Sequence, residues 1–278
     1  MNWRSRCISL VLLTAGCVVS PWAIAQGPDQ LPQGLVRVKH RYGDSVQPAY
    51  EGWHRQADGT VTMWFGYYNR NTEERVNVPL GPDNKFDGAV PDQGQPGYFY
   101  PGYHQFVFRV DLPKDWSDDK KLVWTLTANG VTLKANGYTV PGYEVDDGVI
   151  AMNLSSPGGN AAGNKPPVVS GVADQTVELG KPLQISVTAT DDGIPKPRAA
   201  RGSTTLVGGV QVRWEEYRGP GEIEFDPANV TGEYGKNLEA TTAALFSRPG
   251  TYWIRAVGFD TQLEGVKDFK VTVIQPHR

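Results

Sequence analysis

Paired aspartates are the side chains in this sequence that could bind a metal. Asp191 and Asp192 precede Gly193 after an alternating apolar stretch, and Asp260 follows another such stretch. Calcium prefers several hard oxygen ligands from nearby carboxylates and carbonyls, so these three aspartates are the candidate metal ligands. The alternative is that Asp191 and Asp192 bond their own backbone in a turn. Calcium is therefore the one cofactor that the sequence suggests.

The remaining candidate chemistry does not form a recognisable motif. The sequence has no His-Glu-x-x-His, no Gly-x-Ser-x-Gly, no phosphate-binding loop and no dinucleotide fingerprint. The histidines are not paired at a spacing typical of metal ligands; they are His40, His54, His104 and His277. We therefore predict that the protein is not an enzyme, with an enzyme of unrecognised type as the remaining alternative.

One short block resembles a catalytic family. Gly43-Asp44-Ser45-Val46 is similar to the nucleophile block of the Gly-Asp-Ser esterases. That resemblance implies an α/β sheet and a late Asp-x-x-His, and the sequence offers neither. We interpret the block as a turn.

Aromatic side chains are concentrated in two stretches of the first half of the chain, Trp64 to Tyr68 and Tyr98 to Tyr103. Three prolines and three glycines in residues 91–103 predict a loop. Because a loop cannot bury side chains in every direction, we expect a recognition surface for a protein or a glycan. Its candidate residues are Tyr98, Phe99, Tyr100, Tyr103, Trp64 and Tyr67. The alternative is a lid that closes over the edge of a sandwich.

Residues 1–25 have the features of an export signal. Arg4 and Arg6 give a basic start, and Ala23-Ile24-Ala25 is a small-x-small cleavage site. The apolar run between them is short for a membrane span. We therefore predict cleavage, with no transmembrane segment in the mature chain. The alternative is lipidation of Cys17, because Leu13-Thr14-Ala15-Gly16-Cys17 is similar to a bacterial lipoprotein box.

Cysteine usage and charge restrict the compartment and the partners. Both cysteines, Cys7 and Cys17, lie in the predicted signal, so the mature chain can form no disulfide. An exported protein without disulfides is typical of a bacterial periplasm or cell surface. The 27 basic and 30 acidic residues give a net charge of −3, and no basic stripe is present. The charge pattern argues against nucleic acid as a partner.

The pattern of apolar residues predicts an all-β chain of two sandwiches. Alternating stretches such as Leu183 to Ala189 are typical of strands with one buried face. Residues 155–165 lack a large apolar side chain and are predicted to be a linker that buries nothing. We predict a first β-sandwich domain over residues 35–153 and a second over residues 166–275.

Several turn motifs of the second half occur in a familiar order. They are Asn164-Lys165-Pro166-Pro167-Val168, Ala173-Asp174-Gln175-Thr176-Val177, Leu179-Gly180, Ala189-Thr190-Asp191-Asp192-Gly193, Gly219-Pro220-Gly221 and Arg248-Pro249-Gly250-Thr251-Tyr252. This half resembles an immunoglobulin-like domain of the polycystic-kidney-disease (PKD) or cadherin-like type. The first half resembles uncharacterised β domains of exported bacterial proteins. The resemblance implies two immunoglobulin-like β-sandwiches in tandem.

The function predicted from these patterns is a non-catalytic structural or protein-interaction role in the bacterial envelope. A carbohydrate-binding protein that uses the aromatic residues of the first domain is the alternative.

Overall fold

A computed structural model describes residues 38–87, 89–154, 156, 158–199 and 206–276. The predicted export signal, including Cys17, lies outside these described residues. No helix within the described ranges is long and apolar enough to cross a membrane.

The first half of the chain forms a β-sandwich. Its strands are β1 (Val46–Arg55), β2 (Val61–Asn69), β3 (Val76–Asn77), β4 (Asn84–Asp87), β5 (Tyr98–Phe99), β6 (Gly102–Leu112), β7 (Leu122–Ala128) and β8 (Val131–Gly137). One sheet has the order β1-β2-β6, the other has the order β4-β7-β8, and β3 pairs with β5 in a separate ribbon. If that ribbon is left out, β1, β2 and β6 correspond to strands A, B and E of an immunoglobulin sandwich. The facing strands β4, β7 and β8 correspond to strands C, F and G.

Aromatic rings fill the space between the two sheets of the first sandwich. Trp124 on β7 is fully buried, and its ring contacts Phe65, Phe86 and Phe108 with centroid distances of 5.1–6.3 Å. Its indole Nε1 donates a hydrogen bond to Asn84 Oδ1 at 2.9 Å. The polar tip of the tryptophan is therefore satisfied inside an apolar core, as burial of an N–H group requires.

A short helix and a second sandwich follow. The elements are α1 (Asp147–Leu154), β9 (Val168–Ser170), β10 (Gln175–Glu178), β11 (Leu183–Thr190), β12 (Arg198–Ala199), β13 (Leu206–Val207), β14 (Gln211–Arg218), β15 (Ile223–Asp226), β16 (Asn229–Thr231), β17 (Leu238–Phe246), β18 (Gly250–Phe259) and β19 (Glu264–Ile274). One sheet has the order β15-β17-β11-β9 and the other has the order β10-β19-β18-β14-β16. In this arrangement β9, β11, β15 and β17 take the places of strands A, B, D and E of an immunoglobulin sandwich. They lie opposite β14, β18 and β19, which take the places of strands C, F and G.

The alternation predicted for β11 is observed. Ile185, Val187 and Ala189 are buried on one face, and β17 and β18 supply Ala240, Ala244 and Ile254 to the same core. Strand β10 runs parallel to β19, whereas the pairs β14–β18 and β18–β19 are antiparallel. The chain is therefore all-β, with two immunoglobulin-like sandwiches in tandem, as the sequence predicts.

A small third core lies between the sandwiches. It contains Phe106 from β6, Ile150 and Ala151 from α1, Val145, and Leu263 from the turn before β19. Helix α1 is capped by Asp146, whose carboxylate accepts a hydrogen bond from the Val149 amide at 2.8 Å. Apolar contacts thus continue from the first sandwich to the second through the helix.

The segment predicted to be a contact-free linker makes buried contacts, which corrects that expectation. Ser156 and Asn164 are buried, and Gln262 bonds both of them. Gln262 also accepts a hydrogen bond from the Ala161 amide at 2.9 Å. The prediction failed because it considered apolar burial only, whereas this segment is fixed by polar side chains. The domain boundaries themselves stay predictions.

Candidate functional site at the junction of the sandwiches

Residues 91–103, here named the docking loop, are folded against strand β14 of the second sandwich. The Gly97 amide donates a hydrogen bond to the Tyr217 carbonyl at 2.9 Å, and Tyr217 Oη donates to the Gly94 carbonyl at 2.6 Å. The Glu216 amide donates to Tyr100 Oη at 2.8 Å. The proline- and glycine-rich stretch therefore connects the first sandwich to the second.

Part of this stretch is a strand, which corrects the prediction that it is only a loop. Tyr98 and Phe99 form β5 and pair with Val76 and Asn77 of β3. The two residues lie between Pro96 and Pro101, so neither proline removes a hydrogen-bond donor from the two-residue pairing.

Arg218 at the end of β14 holds the start of the docking loop. Its Nε and Nη2 atoms donate to the Gln95 carbonyl at 2.8 and 2.7 Å, and it forms an ion pair with Asp92 at 2.8 Å. Its guanidinium lies 4.6 Å from the centroid of the Trp253 ring. The hydrogen bonds from Arg218 keep the pKa of the Asp92 carboxyl below its ordinary value.

Arg255 on β18 makes the second fixed contact across the junction. Only 7% of the residue is exposed, and its Nε and Nη2 atoms bind the Asp268 carboxylate at 2.7 and 2.8 Å. Its Nη1 atom donates to the Val107 carbonyl of β6. The guanidinium also lies 3.8 Å from the centroid of the Tyr217 ring, a favourable cation–π distance. One arginine thus joins two strands of the second sandwich to an edge strand of the first.

A cleft of about 680 Å³ remains between the sandwiches. Residues 103–109 of β6 line one wall together with Trp64. The other wall belongs to the second sandwich, and Arg213, Glu215 and Glu264 lie on it as a network with N–O distances of 2.7 and 2.9 Å. The cleft combines aromatic rings with paired charges, and such concave sites at domain interfaces are common places for ligands.

The six predicted recognition residues do not share one exposed surface. Tyr98, Phe99 and Tyr67 are nearly fully buried, so their assignment to a recognition surface is corrected. Phe99 and Tyr67 belong to the core of the first sandwich, where their ring centroids lie 4.9 Å apart, whereas the Tyr98 ring lies 5.3 Å from that of Tyr100. Tyr100 is partly buried in the junction.

The other two candidates reach the cleft. Tyr103 is 53% exposed and donates a hydrogen bond to Glu51 at 3.0 Å, and Trp64 is partly exposed beneath the guanidinium of Arg109. Burial raises the pKa of Tyr103 and Tyr217 to about 12, so both hydroxyls stay protonated near neutral pH. The structure therefore brings Trp64, Tyr67 and Tyr103 to one cleft. Of these three, Trp64 and Tyr103 have side chains that are exposed to a ligand.

The three predicted calcium ligands lie near one another at a different place. Asp191, Asp192 and Asp260 line a depression of about 130 Å³ beside Tyr234. Burial, followed by the charges of Asp260 and Asp192, raises the pKa of Asp191.

Backbone groups already bind these carboxylates. Asp260 accepts hydrogen bonds from the Gln262 and Leu263 amides at 2.7 Å, and Asp192 accepts one from the Lys165 amide at 3.0 Å. Across the part of the chain that the structure describes, no three His, Cys, Asp or Glu side chains form a group that could hold a metal ion. Calcium binding at these aspartates stays a prediction.

The residues that build the junction were not among the candidates predicted from the sequence, and they are chiefly Arg218, Arg255 and Tyr217. One signal was available, because β14 reads Arg213-Trp214-Glu215-Glu216-Tyr217-Arg218 and carries charges on both faces. A strand with polar residues on both faces and an aromatic among them is expected to contact another domain on one side.

Comparisons with known proteins give weak structural similarity alone. No known protein family and no curated protein matches the chain. Among solved structures, domains 4 and 5 of the S-layer protein SbsC are 12% identical, with a TM-score of 0.25 and coverage of 83% of this chain and 98% of that one.

Two further solved structures are similar to the same degree. The D00-D0 domain of intimin is 13% identical, with a TM-score of 0.26 and coverage of 83% of this chain and 100% of that one. The fibronectin(III)-like modules of CbhA from Clostridium thermocellum are 11% identical, with a TM-score of 0.24 and coverage of 84% and 98%. At these scores the likeness carries no argument, and the fold class rests on the strand order described above.

Proposed function

We propose that the chain is an exported bacterial envelope protein with a non-catalytic structural or protein-interaction role. The observation that supports this proposal is the junction, which joins two immunoglobulin-like sandwiches within one compact unit, Lys39–Arg278. Buried side chains such as Arg255 and Tyr217 are used for contacts between the sandwiches rather than for chemistry. A fixed tandem of this kind presents one continuous surface to a partner, with the cleft at its centre.

The test compares two exposed tyrosines of the first sandwich. Tyr103 lies at the cleft, whereas Tyr42 lies away from it and is 60% exposed. The mature chain, immobilised, is used to capture proteins from a bacterial envelope extract, followed by purification of the captured protein. We expect Tyr103→Ala to lose most of the capture and Tyr42→Ala to retain it. Equal capture by both variants, or none by the wild type, would count against an interaction role at the cleft.

A second candidate is binding of a carbohydrate in the same cleft. It is supported by the side chains there, because Trp64 and Tyr103 offer aromatic area while Arg213, Glu215 and Glu264 offer hydrogen-bonding groups within an ion-pair network. Neutral, hydroxyl-rich ligands suit such a combination. A glycan array with the mature chain distinguishes the two candidates. Binding of a defined oligosaccharide that Trp64→Ala abolishes would favour the second.

Export, and a PKD-like identity for the second sandwich, belong to the same proposal. Sequencing of the mature N-terminus is expected to begin at Gln26, whereas a lipid-modified Cys17 would indicate the alternative processing.

Calcium binding at Asp191, Asp192 and Asp260 is tested by comparing the melting temperature in millimolar calcium with that in the presence of a chelator. A rise that Asp192→Asn removes would support binding.

A further inference from the structure

Glu216 carries a buried carboxyl group on the part of β14 that meets the docking loop. Its backbone amide bonds Tyr100 of the docking loop, while the next residue, Tyr217, receives the Gly97 amide of the same loop. Its own side chain turns inward, and only 1% of the residue is exposed. The strand segment to which the loop is bound therefore also carries a titratable group inside the protein.

The side chain of Glu216 is only half satisfied. Oε2 accepts a hydrogen bond from the Ile223 amide at 3.1 Å, and Oε1 has no hydrogen-bond partner. The site is tightly packed, since a Cβ atom added at Gly219 would come within 2.5 Å of Oε1 and 2.3 Å of the Tyr252 ring. An unpaired buried carboxylate is costly, whereas the uncharged acid is tolerated.

The groups that face Glu216 are uncharged or negative, with the exception of one cation. Tyr98 and Tyr100 approach it from the docking loop and Tyr252 from β18, all as uncharged hydroxyls, while Glu222 adds a second negative charge. Arg75 of the first sandwich is the cation that acts on it. Within the described part of the chain, no Lys, Arg or His nitrogen lies within 4.0 Å of its carboxyl oxygens.

We propose that the uncharged form of Glu216 holds the docking loop on β14, and that loss of its proton to solvent releases the loop and opens the junction. The ionised carboxylate needs water, and Tyr98 and Tyr100 of the docking loop are among the groups on which its charge acts. Movement of Glu216 also shifts the backbone groups that bind Tyr100 and Gly97. The contact between the sandwiches is therefore a pH-sensitive latch, independent of which ligand the cleft takes.

The direction of the pH dependence follows from the burial. Desolvation by burial is the main cause that raises the pKa of Glu216 to about 8, with the charge of Glu222 adding to it. The pKa of the Glu216 carboxyl in the folded protein thus lies above its pKa in the unfolded chain, which is about 4.3 for glutamate. The stability linked to this proton is complete below the unfolded pKa and is lost as the pH rises through the folded pKa. The latch opens on the alkaline side of neutrality.

The test is amide hydrogen exchange of the full mature chain at about pH 6.5 and about pH 9, corrected for intrinsic exchange rates. At one pH unit above the folded pKa the ionised form exceeds the acid about tenfold. We expect peptides from residues 91–103 and 214–218 to lose protection up to about tenfold at the higher pH. Peptides from β7 and β11, in the two cores, are expected to keep their protection.

Two substitutions make the result specific. Glu216→Gln keeps the shape without a titrating proton and is expected to remove the pH dependence of residues 91–103. Glu222→Gln, a matched control on a neighbouring carboxyl, is expected to retain it. Should Glu216→Gln fail to fold, Tyr100→Phe removes the hydroxyl that accepts the Glu216 amide and is expected to show the open pattern already at about pH 6.5. Unchanged protection of the wild type between the two pH values, or an equal loss in Glu216→Gln, would overturn the proposal.

Discussion

Arg255 links the two sandwiches while it is held by partners in its own sandwich. Its planar guanidinium binds Asp268 through two nitrogens, the Val107 carbonyl through a third, and the face of Tyr217. Lysine has one nitrogen and no planar fork, so it cannot make these contacts together. The identity of this side chain, rather than its charge alone, determines how the sandwiches are joined.

We predict that Arg255→Lys lowers the free energy of unfolding by about 1–3 kcal/mol, because hydrogen bonds to a charged group are lost and the Val107 carbonyl loses its donor. Urea denaturation measures the change. Arg213→Lys is the matched control, since the ion-pair partners of Arg213 among the described residues, Glu215 and Glu264, belong to its own sandwich, and Arg213 is half-buried. An equal loss in both variants would show that the contact with the first sandwich contributes nothing.

Trp124 provides a second test at the residue scale. It is fully buried among four phenylalanine rings, and its removal also leaves Asn84 Oδ1 without its donor. We expect Trp124→Ala to cost about 3–5 kcal/mol of unfolding free energy. Val131→Ala on the adjacent strand β8 alters a residue that is 44% exposed and is expected to cost well under 1 kcal/mol. A small loss for Trp124→Ala would mean that the first core is assigned to the wrong face.

Among the secondary-structure elements, the β2–β6 pair carries an irregularity that serves the junction. Phe65 pairs with Phe108 and Tyr67 pairs with His104, so β6 has three residues where β2 has only Gly66. Phe106 has a φ of +52° at this bulge, a conformation that non-glycine residues rarely adopt. The bulge turns Phe106 out of the first core and into the apolar contacts with Ile150 and Leu263.

Gly66 is required for this bulge, because a Cβ atom there would lie 2.4 Å from the His104 carbonyl oxygen. We predict that Gly66→Ala costs about 2 kcal/mol or more, since backbone would have to move. Thermal unfolding followed by circular dichroism is the measurement. Gly142→Ala is the control, as its Cβ would meet no atom within 4 Å. A melting temperature for Gly66→Ala equal to that of the control would contradict the close approach.

At the scale of the whole molecule, the two sandwiches belong to one compact unit from Lys39 to Arg278. The docking loop, the pair of arginines and the small core around α1 all link them. Unfolding of one sandwich would expose contacts of the other. Cooperative behaviour is therefore expected despite the two separate hydrophobic cores.

We predict a single calorimetric unfolding transition for the wild type near pH 6.5. The double substitution Arg218→Ala and Arg255→Ala removes the main polar links and is expected to separate it into two transitions. The single variant Arg213→Ala serves as a control and should retain one. Two transitions in the wild type would instead support the independent folding that the composition of residues 155–165 suggests.

The sequence alone determined the class of fold and the core positions of each sandwich. Alternation in stretches such as Leu183 to Ala189 specifies which face is buried, because side chains on a strand point alternately to opposite faces. The burial of Trp124 and Trp214 follows from the same rule. These features depend on neighbours along the chain, and a sequence displays such neighbours directly.

The tertiary structure decided the use of the aromatic loop and of the polar segment. The composition of residues 91–103 predicted an exposed surface, yet Phe99 is buried in the core of the first sandwich, and partners about 120 residues away on β14 bind Gly94 and Tyr100 of the loop. Residues 155–165 contain no large apolar side chain, yet Gln262, about 100 residues later, binds Ser156 and Ala161. Such contacts depend on which surfaces meet after each sandwich has formed, and periodicity within one segment holds no information about a partner that distant in the chain.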